Sequence, residues 1–344
     1  MENINRQCLV VVLNWNGTID TIECSRSLAR NNINYDVLII DNDSRTDQYE
    51  FLQDGLTDLS HNACWEVELS NSKLASEYEI KKGFAYSVND VNFFLLKSSV
   101  NHGFARACNL GAKYAKEKKY EQVLFLNNDT VVEDDFFPYM LEALKTNDAV
   151  IPQIRYFHNK KIIWNCGGSI SRFGKRDYLF ANRSIEDVNL GEKNISITFS
   201  TGCALLFRTD YFIDIGMFSE KFFFGEEDID LSLRLKSLKA SVVCVPKSII
   251  YHKVGASLTG DKTKLVRKAY IHYLNRFVNM KNHLGLLWYP WLMPSLMKVF
   301  MNVISINKLS LFKAMLFTFK LLVDSLKLNC VDRNKFESTI NNGY

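Results

Sequence analysis

Proline is scarce in this chain, with 5 residues in 344 beside 16 glycines. That scarcity excludes collagen-like and low-complexity architectures. A long apolar run is missing too. The uncharged stretch 284–297 has 14 residues, fewer than the roughly 20 that a membrane-crossing helix needs, and Pro290 and Pro294 interrupt it. None of the 8 cysteines has a neighbour at C-x-x-C spacing, which argues against zinc ribbons and thioredoxin-like redox sites. Several sit inside apolar runs, such as Cys8 before Leu9-Val10-Val11-Val12 and Cys244 within Val242–Val245. A free thiol behaves there as a small hydrophobe, the usage of a reducing compartment. The N-terminal apolar run covers only residues 8–13, so no secretory signal is expected, and a cytoplasmic location is. A large charge of one sign is also absent. A net charge of +4 does not point to nucleic acid.

What the chain does have is a globular composition, 47% apolar and 23% charged, and a length for two domains or one large α/β domain with an appendage. Residues 8–13, 37–40 and 123–126 are short and apolar, the first rich in β-branched residues; each ends in a cluster with Asn or Asp. Residues 18–30, 105–119 and 226–239 read as helices. Residues 161–176 read as a strand and a glycine loop, and 198–217 as a strand followed by a short helix. Residues 241–245 read as a strand that Pro246 ends. Strands apolar throughout, alternating with helices, predict a mostly parallel sheet flanked by helices on both faces. The polar clusters then fall at the carboxyl ends of strands, where open α/β sheets bind ligands. Residues 50–95 show no clear period and read as an insertion with a hairpin near 78–96.

Three clusters could carry chemistry: Asp41-Asn42-Asp43, Asn127-Asn128-Asp129 and Glu226-Glu227-Asp228-Ile229-Asp230. Any one alone could serve only as turn or helix-cap residues; three on one sheet edge suggest a site. Asp41 can accept hydrogen bonds from a nucleoside. Asp129 is a hard oxygen ligand suited to Mg²⁺ or Mn²⁺ at a diphosphate. Asp228 can take a proton from an attacking hydroxyl. Its neighbours Glu227 and Asp230 raise its proton affinity by like-charge repulsion. Asp230 can equally pair with Arg234 at i,i+4.

Four stretches resemble family 2 glycosyltransferases of the GT-A (Rossmann-like) fold, in the rhamnosyltransferase-like branch. They are Val11-Val12-Leu13-Asn14-Trp15-Asn16-Gly17, Ile39-Ile40-Asp41-Asn42-Asp43-Ser44, the segment Asn101–Gly111, and Leu126-Asn127-Asn128-Asp129-Thr130 in the place of a D-x-D motif. Thr201-Gly202, Gly216-Met217-Phe218 and Phe224–Asp230 follow in the family's order, and His252 lies 24 residues after Asp228. The match covers about residues 8–280. The resemblance implies donor contacts from Asn14, Asp41, Asp43, Asn101, Arg106, Asn109 and Asn128. It implies a divalent cation held by Asp129 and His252, and Asp228, with Glu227 beside it, as the base of an inverting displacement. Asn127 departs from the D-x-D pattern and contributes no charge. Arg106 could instead be a solvated helix residue, and Trp164 either a core residue or a sugar platform.

Residues 1–260 hold 29 Lys/Arg and 34 Asp/Glu, while residues 261–344 hold 13 and 4. The expected division is therefore a catalytic domain, 1–260, and a basic helical region, 261–344. Lys313, Lys320 and Lys327 lie seven apart among Leu, Phe and Met. This fits the membrane interface, or a helical appendage with a solvated lysine stripe. A surface at the inner face of the cell membrane would suit a lipid-linked glycan acceptor. The partners expected are a nucleoside-diphosphate sugar, that acceptor and the membrane surface, with no nucleic acid. The rival readings are a nucleotidyltransferase, weakened by the lack of Lys or Arg in residues 14–20, and a non-catalytic sugar- or nucleotide-binding module.

Overall fold

Where a strand carries a continuous apolar run, both faces of the sheet must be covered, and the two faces of β1 (Cys8–Asn14), apolar up to Leu13, are. Cys8, Val10 and Val12 pack into one buried layer, and Leu9 and Val11 into the other. The computed structural model describes residues 7–31, 35–60, 64–67, 73–254 and 262–344. After β1 come α1 (Thr18–Ala29), β2 (Tyr35–Asn42), α2 (Thr46–Leu59), β3 (Cys64–Glu66), α3 (Lys73–Glu77), β4 (Ile80–Val88), β5 (Val91–Ser98), α4 (Gly103–Glu117) and β6 (Gln122–Asn127). The chain continues through β7 (Thr130–Val132), α5 (Phe136–Leu144), β8 (Ala149–Tyr156), β9 (Ile163–Asn165), β10 (Gly168–Ile170), β11 (Arg176–Tyr178), β12 (Ile195–Ile197), β13 (Ala204–Arg208), α6 (Thr209–Asp214), α7 (Glu227–Ser237) and β14 (Val242–His252). A final helical block holds α8 (Lys262–Leu284), α9 (Trp288–Ser305), α10 (Leu311–Lys327) and α11 (Arg333–Asn342).

The main sheet runs β12-β14-β8-β13-β6-β1-β2-β5-β4-β3, with β7 on β14 and β9 on β8; β10 and β11 form a separate hairpin. Strands β5, β2, β1 and β6 are parallel, and so are β8 and β14. Between these blocks β13 runs antiparallel to both neighbours. Helices α1, α2 and α5 cover one face, and α4, α6 and α7 the other.

Two sequence expectations are corrected here. The stretch 50–95 is not one insertion. Helix α2 supplies Leu52 and Leu56 to the core, and β5 pairs in parallel with β2, so both belong to the central β-α-β framework. Only β3, α3 and β4 extend the sheet beyond it; residues 61–63 and 68–72 of that stretch lie outside the described residues. Nor does Pro246 end a strand. The ladder of β14 on β8 shifts register between Val245 and Ile249 and then resumes. A bulge absorbs the missing proline N–H, and the strand runs on to His252.

The expected boundary between residues 260 and 261 also falls outside the described residues. On either side of it, the basic helical region packs closely. Ile229 and Leu233 of α7 are buried with Tyr270, Leu274, Phe277, Trp288, Phe317 and Leu321 from α8, α9 and α10, while Leu231 and Leu235 face the sheet. Helix α7 is therefore enclosed between sheet and helical block. The strip Lys221–Phe223 adds a further tie, bonding in both directions with Val331.

Gly103, the first residue of α4, has φ +75°, and a β-carbon there would lie 2.1 Å from the Phe223 carbonyl oxygen. Left-handed backbone and close approach both require glycine. Gly103→Ala is expected to cost more than about 1 kcal/mol, read as a lowered melting temperature.

Candidate active site

The carboxyl ends of the parallel strands deliver the polar clusters to one edge. At β1 and β2, Asn14 Nδ2 donates to Asp41 Oδ2 at 2.8 Å and to Ser44 Oγ at 3.2 Å. Asn14 Oδ1 accepts from the Gly17 N–H and from Thr21 Oγ. Both residues are fully buried. Asn14 thus spends its polar atoms inside the protein and positions Asp41, in place of the direct nucleoside contact expected of it. Asp41 also accepts from the Ser44 N–H. Burial pushes its pKa up, against the pull of its Ser44 and Asn14 hydrogen bonds. Asp43 follows at a left-handed φ of 67°, half-buried.

Several other expected donor contacts are engaged within the fold. Asn128 Nδ2 bonds Thr21 Oγ1 at 2.9 Å and the Gly17 carbonyl at 3.3 Å, fastening the β6 turn to α1. Asn101 Oδ1 accepts from Asn42 Nδ2 and from the Gly103 N–H, so it shapes the start of α4. Asn109 is buried and grips the Phe218 N–H and carbonyl, each at 3.0 Å, and Glu220 at 2.9 Å. Arg106 lies over the Tyr78 ring and donates to the Glu77 carbonyl at 3.3 Å. In a sequence these four look like ligand contacts because polar residues near a sheet edge serve either purpose; only their partners separate the two.

The structure brings Asp129 and His252 together. Strand β14 pairs with β7 so that His252 faces Thr130, and the Lys253 N–H donates to the Asp129 carbonyl at 3.0 Å. Asp129 Oδ1 and His252 Nε2 end 3.0 Å apart. Asp129 Oδ1 makes no hydrogen bond, and neither does His252 Nδ1; both atoms are buried. A hard oxygen and an imidazole whose facing atoms, Asp129 Oδ1 and His252 Nε2, pair only with each other at a sheet edge fit Mg²⁺ or Mn²⁺. Among the described residues no three His, Cys, Asp or Glu side chains gather as a metal site. The protein's share would be these two ligands, with substrate oxygens or water completing the shell. Trp164 stands edge-on to His252, ring centres 4.4 Å apart, and so fixes the imidazole from the side.

Asp228 and Glu227 open α7, where negative charge suits the helix N-terminus. Gly225 and Glu226 precede them with φ of +91° and +75°, a strained junction of the kind found at functional sites. Gly202 packs beside Asp228, a β-carbon built on it falling 3.8 Å from Asp228 Cβ and from the Phe104 ring. Next to it, the Cys203 carbonyl accepts the Asn127 N–H at 2.8 Å. The Thr201–Cys203 strip thereby links the turn that carries Asp129 to Asp228. Burial first, then the adjacent Glu226 charge, pushes the Asp228 pKa up, and Arg176 opposes them. Burial and Asp228 push Glu227 up likewise, and Glu227 Oε2 is buried without a hydrogen bond.

The residues that hold this junction come from α8, and sequence reasoning missed them. Arg276 Nε lies 2.9 Å from the buried Glu226 carboxylate, and Asn279 Nδ2 donates to it at 3.0 Å. Asn275 Nδ2 holds the Phe224 carbonyl at 2.8 Å. His283 Nε2 sits 2.9 Å from Asp230 Oδ1, whose Oδ2 accepts from Arg234 at 2.8 Å, the expected i,i+4 pair. Burial raises the Asp230 pKa, but these two partners outweigh it and hold the group low. Residues 276, 279 and 283 recur at helical spacing, the one signal in the sequence, yet nothing in the sequence says what they face.

Residues 70–216 match Glycosyl transferase family 2. That stretch is similar to family 2 glycosyltransferases, and the fold is of the GT-A type. The chain is similar to the dTDP-rhamnosyl transferase RfbF of Shigella flexneri, 23% identical over 239 residues, covering 67% of this chain and 76% of that one. Among solved structures, GalNAc-T7 with UDP, GalNAc and Mn²⁺ superposes with a TM-score of 0.51 at 11% identity, over 98% of this chain and 58% of the other. This chain thus spans little more than half of that protein. The mannosyltransferase PcManGT from Pyrobaculum calidifontis, in complex with GDP-Man and Mn²⁺, gives a TM-score of 0.50 at 12% identity, over 94% and 86%.

Proposed function

We propose that the protein transfers one sugar, with inversion, from a nucleoside-diphosphate sugar to a lipid-linked glycan acceptor at the cytoplasmic face of the cell membrane. Its setting would be bacterial surface polysaccharide synthesis, O-antigen or capsule. The observation that carries the reading is the meeting of Asp129 and His252 at 3.0 Å on the edge that also holds Asp41, with Asp228 tied to it through the Thr201–Cys203 strip. The similarity to a dTDP-rhamnosyl transferase favours dTDP-rhamnose as donor, with a UDP-sugar as the alternative.

In this reading Asp41, positioned by Asn14, accepts hydrogen bonds from the nucleoside. Asp129 and His252 would hold a divalent cation, which when bound supplies Lewis-acid stabilisation of the leaving diphosphate. Asp228 accepts the proton of the acceptor hydroxyl as that oxygen attacks the anomeric carbon and the bond to the nucleoside diphosphate breaks. Raised proton affinity improves Asp228 as a base near neutral pH. Arg276 and Asn279, by gripping Glu226, keep Asp228 in place.

The test is thermal unfolding with dTDP, UDP and GDP, each with and without Mn²⁺. Binding to the folded state alone raises the midpoint. A metal-dependent rise with dTDP, larger than with UDP or GDP, is the expected outcome. Folded protein that responds to no nucleotide would sink the proposal.

A further inference from the structure

Helices α9 and α10 are apolar on both sides, but only one side of each is covered. A helix that is hydrophobic all round is normally enclosed all round. On α9, Trp288, Leu292, Leu296, Val299 and Val303 are buried against the helical block. On the opposite side Tyr289, Met293, Met297 and Met301 recur every fourth residue and are exposed, Met297 by 71%, with Leu286 before them at 85%. On α10, Ala314, Phe317 and Leu321 are buried, while Phe312, Met315, Leu316 and Phe319 are exposed, Phe312 by 69%. The two helices pack on each other. A contiguous row of large exposed apolar side chains marks an interaction site.

The charge around it identifies the occupant. Lys298, Lys308, Lys313 and Lys327 are exposed. The only acid between residues 285 and 331 is Asp324, which is buried and neutralised by Lys320 at 2.8 Å and Lys335 at 2.6 Å. The surface therefore offers apolar side chains and positive charge and no accessible negative charge. No helix among the described residues is long and apolar enough to cross a membrane, so the arrangement suits one that lies on it.

We propose that the outer face of α9 and α10 docks on the surface of an anionic lipid bilayer, Leu286, Tyr289, Met293, Met297, Phe312 and Phe319 entering the acyl boundary and the lysines meeting anionic headgroups. This rests on the lipid-linked acceptor for its purpose and gives it a route. A cleft of about 360 Å³ among Phe173, Leu287, Pro290 and Trp291 joins the start of α9 to the turn between β10 and β11. In that turn the Gly174 carbonyl accepts from Arg276 at 2.8 Å, the same arginine that grips Glu226 beside the base. One side chain thus ties the turn beside this cleft to the junction that carries Asp228.

The experiment is co-sedimentation of the full chain, without donor or acceptor, with vesicles of phosphatidylcholine alone or mixed with phosphatidylglycerol. The wild type should bind the anionic vesicles at least about tenfold better than the neutral ones, and less as salt rises. Met293→Glu/Met297→Glu/Phe312→Glu should lose binding with an unchanged melting temperature, since all three side chains already face solvent. Replacing Lys298, Lys308, Lys313 and Lys327 by Gln should remove the preference for anionic lipid. Folded wild type that sediments with neither vesicle overturns the proposal. So does a stable dimer, broken by the triple variant, that binds no vesicles, because a second copy then covers the face. Vesicle binding without any nucleotide response would leave this inference standing and remove only the transferase reading.

Discussion

Asp228→Asn is expected to slow sugar transfer about 100- to 10,000-fold, the usual worth of a positioned general base, while leaving the nucleotide-induced thermal shift unchanged. The amide keeps the size and the place at the start of α7 but cannot take the proton of the acceptor hydroxyl. The variant should also melt higher than the wild type. Burial and the Glu226 charge raise the folded-state pKa of Asp228 above its unfolded value, so the native state holds a proton that the unfolded chain has already released. Stability is complete below the unfolded pKa and is lost as pH rises through the folded one; a neutral Asn escapes that loss. A slower enzyme with a higher melting temperature separates a lost base from a damaged fold, and such trade-offs are common at active sites. The same shift sets the pH profile of the wild type. Transfer should fall as pH drops, along a limb that lies above the ordinary carboxylate pKa of about 4. Wild-type kcat in Asp228→Asn would remove this residue as the base.

Asp129→Ala should abolish the metal-dependent part of nucleotide binding. At a nucleotide concentration of 100 times Kd, binding stabilises the folded protein by about 2.7 kcal/mol, and most of that should vanish in the variant. The reason is the geometry at the end of β14. Asp129 and His252 are the two side chains brought to one point that would hold the metal, and Asn127 adds no charge to compensate. His252→Ala should weaken the same response while sparing the metal-independent part. Thermal unfolding with nucleotide, with and without Mn²⁺, reads both without an acceptor. An Asp129→Ala protein with the full Mn²⁺-dependent shift would mean that the metal, if used, sits elsewhere.

The central strands were legible because their apolar residues are continuous and β-branched, which only a sheet covered on both faces explains. The order of the clusters after them was legible too, since turns at the ends of parallel strands must come to one edge. The hairpin expected near 78–96 is β4 with β5; the mixed charge of the segment before it hid only that β5 also pairs in parallel with β2. The antiparallel insertion of β13 was not visible, because a buried strand reads alike in either direction.

By itself, then, the sequence determined the fold class, the sheet edge and the chemical types gathered there. Tertiary structure alone decided which polar groups are spent inside the fold and which remain open for chemistry. Asn14, Asn101, Asn109 and Asn128 have the same donors and acceptors as ligand-binding residues. Their partners, from 2 to 111 positions away in sequence, take up both sides of the amide in Asn14 and Asn109 and one side of it in Asn101 and Asn128. Tertiary structure also turned the basic region from an appendage into the support of the Glu226–Asp228 junction. Arg276, Asn279 and His283 acquire that role only when α8 packs across α7, because a buried carboxylate such as Glu226 persists only where a distant chain segment brings it a cation and a hydrogen-bond donor.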